Sequence, residues 1–84
     1  MAKYRLNIGG EKGNAFYIMG IVRKNIPDKI ECDEIITKMK SGDYNNLLRV
    51  FNYYFPMIEL YADHEIGSID SDLYKIGNPN IIEM

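Results

Sequence analysis

Two stretches that alternate polar and apolar side chains, Lys3 to Ile8 and Met57 to Ala62, bracket an interval from 9 to 56 in which no such alternation occurs. A two-residue period places successive side chains on opposite faces of a strand. Tyr4, Leu6 and Ile8 therefore share one face, with Lys3, Arg5 and Asn7 on the other. In the second stretch Ile58, Leu60 and Ala62 point one way. The interval instead carries apolar residues three and four apart, interrupted at Ile26-Pro27-Asp28 and Ser41-Gly42-Asp43 and ended by Pro56, which predicts three helices. The expected class is α+β: a two- or three-stranded sheet packed against three helices, in the order strand-helix-helix-helix-strand.

Each helix has readable ends. Asn14 is a good N-cap for a first helix over 14–25, because its side chain can accept a hydrogen bond from a free backbone N–H. Ala15, Ile18, Met19 and Val22 form its core stripe, and Phe16, Tyr17 and Ile21 add apolar area beside it. Gly20 costs about 1 kcal/mol relative to alanine inside a helix, which predicts the close approach of another backbone. The second helix starts at Ile30 or Asp33 and ends at Lys40, with Cys32, Ile35, Ile36 and Met39 inward. Asp43 caps the third, from Tyr44 to Phe55. Its inner stripe is Tyr44, Leu47, Leu48, Phe51, Tyr54 and Phe55, with Asn45, Asn46, Arg49 and Asn52 on the wet face. Three consecutive rings cannot share a stripe, so Tyr53 points away from Tyr54 and Phe55.

Beyond Ala62 the pattern weakens. Leu73-Tyr74-Lys75-Ile76 is a candidate third short strand, Gly77-Asn78-Pro79-Asn80 reads as a turn, and Ile81 and Ile82 are candidate docking residues for the last stretch. The division is a compact core over 1–62 and an acidic extension over 63–84 within the same domain. Charge follows it: nine basic and six acidic residues in 1–50 (+3), one basic and six acidic in 51–84 (−5).

At 84 residues with 46% apolar and 26% charged side chains, the chain can support one core. A formal charge of −2 gives no basic surface for phosphate-driven affinity and argues against nucleic acid. The single cysteine, Cys32, fits a reducing compartment, and the chain has neither a secretory h-region nor an apolar run long enough for a membrane span. The expected location is cytoplasmic.

Candidate chemistry is sparse. Asp63-His64-Glu65 alternates faces and lacks a second His or Cys cluster, so it reads as a solvated turn rather than a metal site. Asp70 and Asp72 read as turn-forming and solubilising, since the rest of a calcium loop is missing. Cys32 sits on an apolar stripe and reads as an inert thiol. No cofactor is expected, and the reading is that of a non-enzyme.

The segment Gly9-Gly10-Glu11-Lys12-Gly13-Asn14 runs from a strand into a helix start, where exposed N–H groups and the helix dipole favour an anion. A ligand site there would use Lys12, Gly13 and Asn14, with Arg5 or Arg23 adding charge. It lacks the ending of a P-loop and the spacing of a dinucleotide fingerprint, and a tight connection explains its glycines equally. Tyr17, Gly20, Ile21 and Tyr53 are the interface candidates, because tyrosine joins an apolar ring to a polar tip.

Gly13-Asn14-Ala15-Phe16-Tyr17-Ile18-Met19-Gly20, followed by Ser41-Gly42-Asp43-Tyr44-Asn45-Asn46-Leu47-Leu48, resembles a group of small tailed-bacteriophage proteins built as a strand and three helices. The resemblance spans 3–62 and implies source and architecture, not mechanism. Many such proteins stop about twenty residues earlier, so the acidic extension is expected to carry something particular to this chain. The functional expectation is a phage accessory protein that binds a host defence or regulatory protein and self-associates. The alternative is an oligomeric binder that sequesters a nucleotide or other anionic messenger.

Overall fold

A computed structural model of the chain describes residues 3–77 and 81–84. Strands β1 (Tyr4–Asn7) and β2 (Ile58–Ala62) are neighbours and run parallel, with Tyr4 opposite Ile58 and Leu6 opposite Leu60. A tight turn cannot join parallel neighbours; a long crossover must. Here the crossover is α1 (Ala15–Asn25), α2 (Lys29–Lys40) and α3 (Tyr44–Tyr54).

Caps fix where each helix begins. Asn14 Oδ1 accepts from Phe16 N at 2.8 Å, and Asp43 Oδ1 accepts from Asn46 N at 2.9 Å, as the sequence predicts. The second helix begins earlier than expected, because Asp28 caps it by accepting from Ile30 N at 2.9 Å and Glu31 N at 3.3 Å. Ile30 is consequently on the first turn and exposed.

The sheet is larger than the sequence suggests. It has four strands in the order β3-β2-β1-β4, with β3 (Lys75–Ile76) and β4 (Ile82–Glu83) at its two edges and every pairing parallel. The candidate strand over Leu73 to Ile76 is realised only at Lys75 and Ile76, since Leu73 and Tyr74 turn into the core. Of the expected turn, Asn78, Pro79 and Asn80 lie outside the described residues. Gly77 has φ +125°, a conformation that favours glycine.

The helices bury one face of the sheet. Leu6 and Ile8 of the first strand segment and Ile58, Leu60 and Ala62 of β2 face them and join Ile18, Val22, Ile35, Met39, Leu48 and Phe51. Tyr4, assigned to the same face as Leu6, lies at the margin and stays 40% exposed. Ile69, Leu73 and Tyr74 enter the same core, so the stretch after β2 is part of the packing.

The opposite face of the sheet is polar. Glu83, Arg5 and Glu59 lie side by side on β4, β1 and β2. Arg5 pairs with Glu83 at 3.3 Å, and Lys75 with Glu59 at 3.0 Å. The Arg5 guanidinium also lies 5.3 Å from the centre of the buried Tyr61 ring. Burial, reinforced by the Glu83 carboxylate, pushes the Tyr61 phenol above its ordinary pKa.

Candidate functional site

The glycine-rich segment lies at the carboxyl ends of β1 and β2, where ligands bind in open parallel sheets. Gly10 precedes a short 3-10 turn, Glu11–Gly13, that feeds α1. Gly13 is there for a steric reason: a Cβ at this position would collide with the Ile8 carbonyl oxygen and fall 2.7 Å from its carbon and 2.9 Å from Cα. The turn is thus pressed onto the end of the first strand. The Tyr44 hydroxyl fixes it further by donating to the Gly13 carbonyl, and burial raises the Tyr44 pKa.

A hollow of about 560 Å³ opens beside this turn, lined by Gly9, Gly10, Asn14, Tyr44, His64 and Ser68 among others. The cations assigned to a ligand do not meet there. The Lys12 ammonium donates to the Met84 carbonyl. Arg5 is on the polar face of the sheet, paired with Glu83. Arg23 is in the last turn of α1, about 13 Å along the axis from Asn14 at 1.5 Å per residue. Asn14 itself spends its side-chain oxygen on the cap.

The opposite end of the molecule has a different character. The later turns of α1, the end of α3 and the starts of β1, β2 and β4 enclose a cleft of about 970 Å³. Tyr17, Gly20 and Ile21 form its α1 wall, Tyr54 and Phe55 the α3 wall, and Tyr4, Met57 and Ile82 contribute from the strands. Ile82 is 67% exposed, so the surface is apolar in the open. Tyr53 lies just outside, 79% exposed and edge-on to Tyr54 at 5.0 Å between ring centres. Lys38 donates to the Tyr54 hydroxyl at 2.8 Å, which fixes that ring and raises the lysine pKa.

Three of the four interface candidates therefore meet at one cleft, with Tyr53 next to it. Two need correction in detail. Ile21 is largely buried in the core and shows the cleft only its edge. The expected close backbone at Gly20 is absent within the chain: nothing lies within 4 Å of where its Cβ would be. Tyr4 and Met57 are not among the interface residues read from the sequence, and Ile82 is read there only as a docking residue for the last stretch. Their common place depends on pairing between segments more than fifty residues apart, and the one local signal was Pro56, which leaves Met57 at the mouth of β2.

The acidic residues after β2 also have a structural role that their sequence conceals. Arg49 bonds Asp70 at 2.6 Å through Nη2 and Asp72 at 3.1 Å through Nη1. Asn45, one turn earlier on α3, donates to the Ser68 carbonyl at 3.2 Å and accepts from Asp70 N at 2.8 Å. Asp70 and Asp72 are thus ligands for a helix rather than only solubilising, and Arg49 and Asn45 do more than wet a surface. Hydrogen bonding to Arg49 lowers the Asp72 pKa below its ordinary value. His64 is exposed. Among the described residues no group of three or more His, Cys, Asp or Glu is placed to hold a metal ion, and no helix is long and apolar enough to cross a membrane.

No protein-family model, curated protein or solved structure matches the chain.

Proposed function

We propose that the protein is a non-enzymatic phage accessory protein that binds a host defence or regulatory protein, and that the aromatic cleft is its contact surface. The observation that carries this reading is the cleft itself: tyrosines, methionines and isoleucines gathered around about 970 Å³ at one end of a small chain. Side chains with an apolar body and a polar tip are the ones that interfaces favour. The resemblance to tailed-phage proteins supplies the setting.

The alternative, an oligomeric binder of a nucleotide or other anion, draws less support. Of the cations that would neutralise the ligand, Lys12 and Arg5 are engaged within the chain at Met84 and Glu83, and Arg23 lies in the last turn of α1, away from the Asn14 end.

The test is affinity purification from host cells with the intact protein as bait, beside two variants. Met57→Asp with Ile82→Asp places charge in the cleft at exposed positions; His64→Ala alters the hollow at the other end. A host protein that binds saturably, is lost with the cleft variant and is kept with His64→Ala supports the reading. Turnover of a nucleotide, peptide or nucleic acid by the purified chain, or a nucleotide-induced rise in Tm that Lys12→Ala abolishes, refutes it.

A further inference from the structure

At 100° per residue, α1 divides cleanly in two. Ile18, Met19, Ile21 and Val22 are buried on one side. Phe16, Tyr17, Gly20, Arg23 and Lys24 fall within an arc of about 120° on the other. That outer face is chemically unusual: Phe16 is 77% and Tyr17 42% exposed, Arg23 and Lys24 are exposed, and no acidic residue occurs on the helix. Gly20 lies at the centre of the arc. Among the described residues nothing lies within 4 Å of where its Cβ would be, so no internal contact there accounts for a residue that weakens a helix interior.

We propose that this face is a docking surface for a second copy of the same chain, with two α1 helices crossing antiparallel at Gly20 on a two-fold axis. An isologous contact requires one surface to complement itself, so that residue i meets j and j meets i. This face does so. In an antiparallel crossing centred on Gly20, residues seven apart share a side of the seam, so Phe16 meets Arg23 of the second copy and Tyr17 meets its Lys24, and the same two pairs recur by symmetry. Each pair sets a cation against an aromatic ring, an attraction that strengthens as water is excluded. The missing side chain at Gly20 lets the two backbones approach, which gives the glycine its reason. A parallel arrangement would set cations against cations.

The dimer needs only this chain and is tested without a host protein, but its face shares Tyr17, Gly20 and Lys24 with the cleft proposed above, so a second copy and a host protein compete for that surface. A helix of 11 residues is about 16 Å long, and such a crossing covers less than the roughly 800 Å² per partner of a standard interface. The dimer is accordingly concentration-dependent.

Sedimentation velocity on the intact protein over a wide concentration range should show monomer passing to dimer. Gly20→Leu, whose Cβ meets nothing within 4 Å among the described residues, should abolish the dimer while the monomer stays folded, and Lys24→Glu should weaken it at least tenfold. Cross-linking supplies the orientation. Under oxidation Gly20→Cys should form a disulfide-linked dimer at native concentration, whereas Phe16→Cys should not, its two copies standing about 12 Å apart along the antiparallel helices and beyond disulfide reach. A monomer at every concentration overturns the proposal. So does a dimer indifferent to Gly20→Leu, or Phe16→Cys cross-linking as fast as Gly20→Cys.

Discussion

The entry to α1 and its outer face, about two turns apart, use glycine in opposite ways. At Gly13 the chain is folded so tightly that any side chain would strike the end of the first strand, and Tyr44 holds the same peptide from the other side. At Gly20 there is open space. The contrast teaches that a glycine's meaning lies in what surrounds it: the first closes the fold on itself, and the second leaves a helix uncovered. Around Gly13 polar groups are spent inside the chain, Lys12 on Met84 and Asn14 on its cap. Around Gly20 aromatic and basic side chains face outward.

Substitutions can break this contrast, and the largest effect is expected at the tight end. Gly13→Ala should cost about 3 kcal/mol, the upper part of the range for forcing atoms into filled space, read as a shift in the urea midpoint at constant slope. Little or no loss would mean that the turn is not pressed against Ile8. Asn14→Ala should cost about 1 kcal/mol through loss of the cap. At Gly20 the sign reverses: Gly20→Ala should stabilise the dilute monomer by up to about 1 kcal/mol. Destabilisation there would show that a neighbour does reach the position.

The smallest effect concerns the clasp between α3 and the acidic stretch, where exposed charges contribute little to global stability. Arg49→Ala should leave the urea midpoint almost unchanged but speed hydrogen exchange over 66–73, the stretch whose carboxylates this contact ties to α3. The clasp also has a pH signature. The folded Asp72 pKa is depressed, so its contribution is complete above the ordinary aspartate value near 3.8 and is lost as pH falls through the lower folded value. Protection factors in the stretch, referred to the intrinsic exchange rate at each pH, should therefore fall on acidification below about pH 4 in the parent chain, with a weaker dependence in Arg49→Ala.

Local signals in the sequence were legible because their physics is local. Asn14 and Asp43 cap the helices they precede, two or three residues away, and the alternation in Ile58 to Ala62 is a property of one strand. Asp28 was overlooked as a cap because Pro27 beside it drew the boundary further along the chain. What escaped was set by distance in sequence. The parallel pairing of β1 with β2, the recruitment of Ile82 and Glu83 as a fourth strand, and the grip of Arg49 on residues 21 and 23 positions later leave no periodic trace. The candidate sites fared likewise. Tyr17 and Gly20 were visible as oddities on a helix, but the cleft they border exists only after three remote segments meet.

Strand β1 has a place that shapes how the molecule can assemble. It lies between β2 and β4, and both neighbours come from later in the chain, Ile58 and Ile82 being the residues opposite Tyr4. As the polypeptide leaves the ribosome, its earliest strand must wait without a lateral companion while all three helices emerge. Closure of such remote ends slows folding relative to a helical bundle of equal size. During that interval β1 exposes bare strand backbone, a vulnerability that ends on its second side only when Ile82 and Glu83 pair with Tyr4 and Arg5.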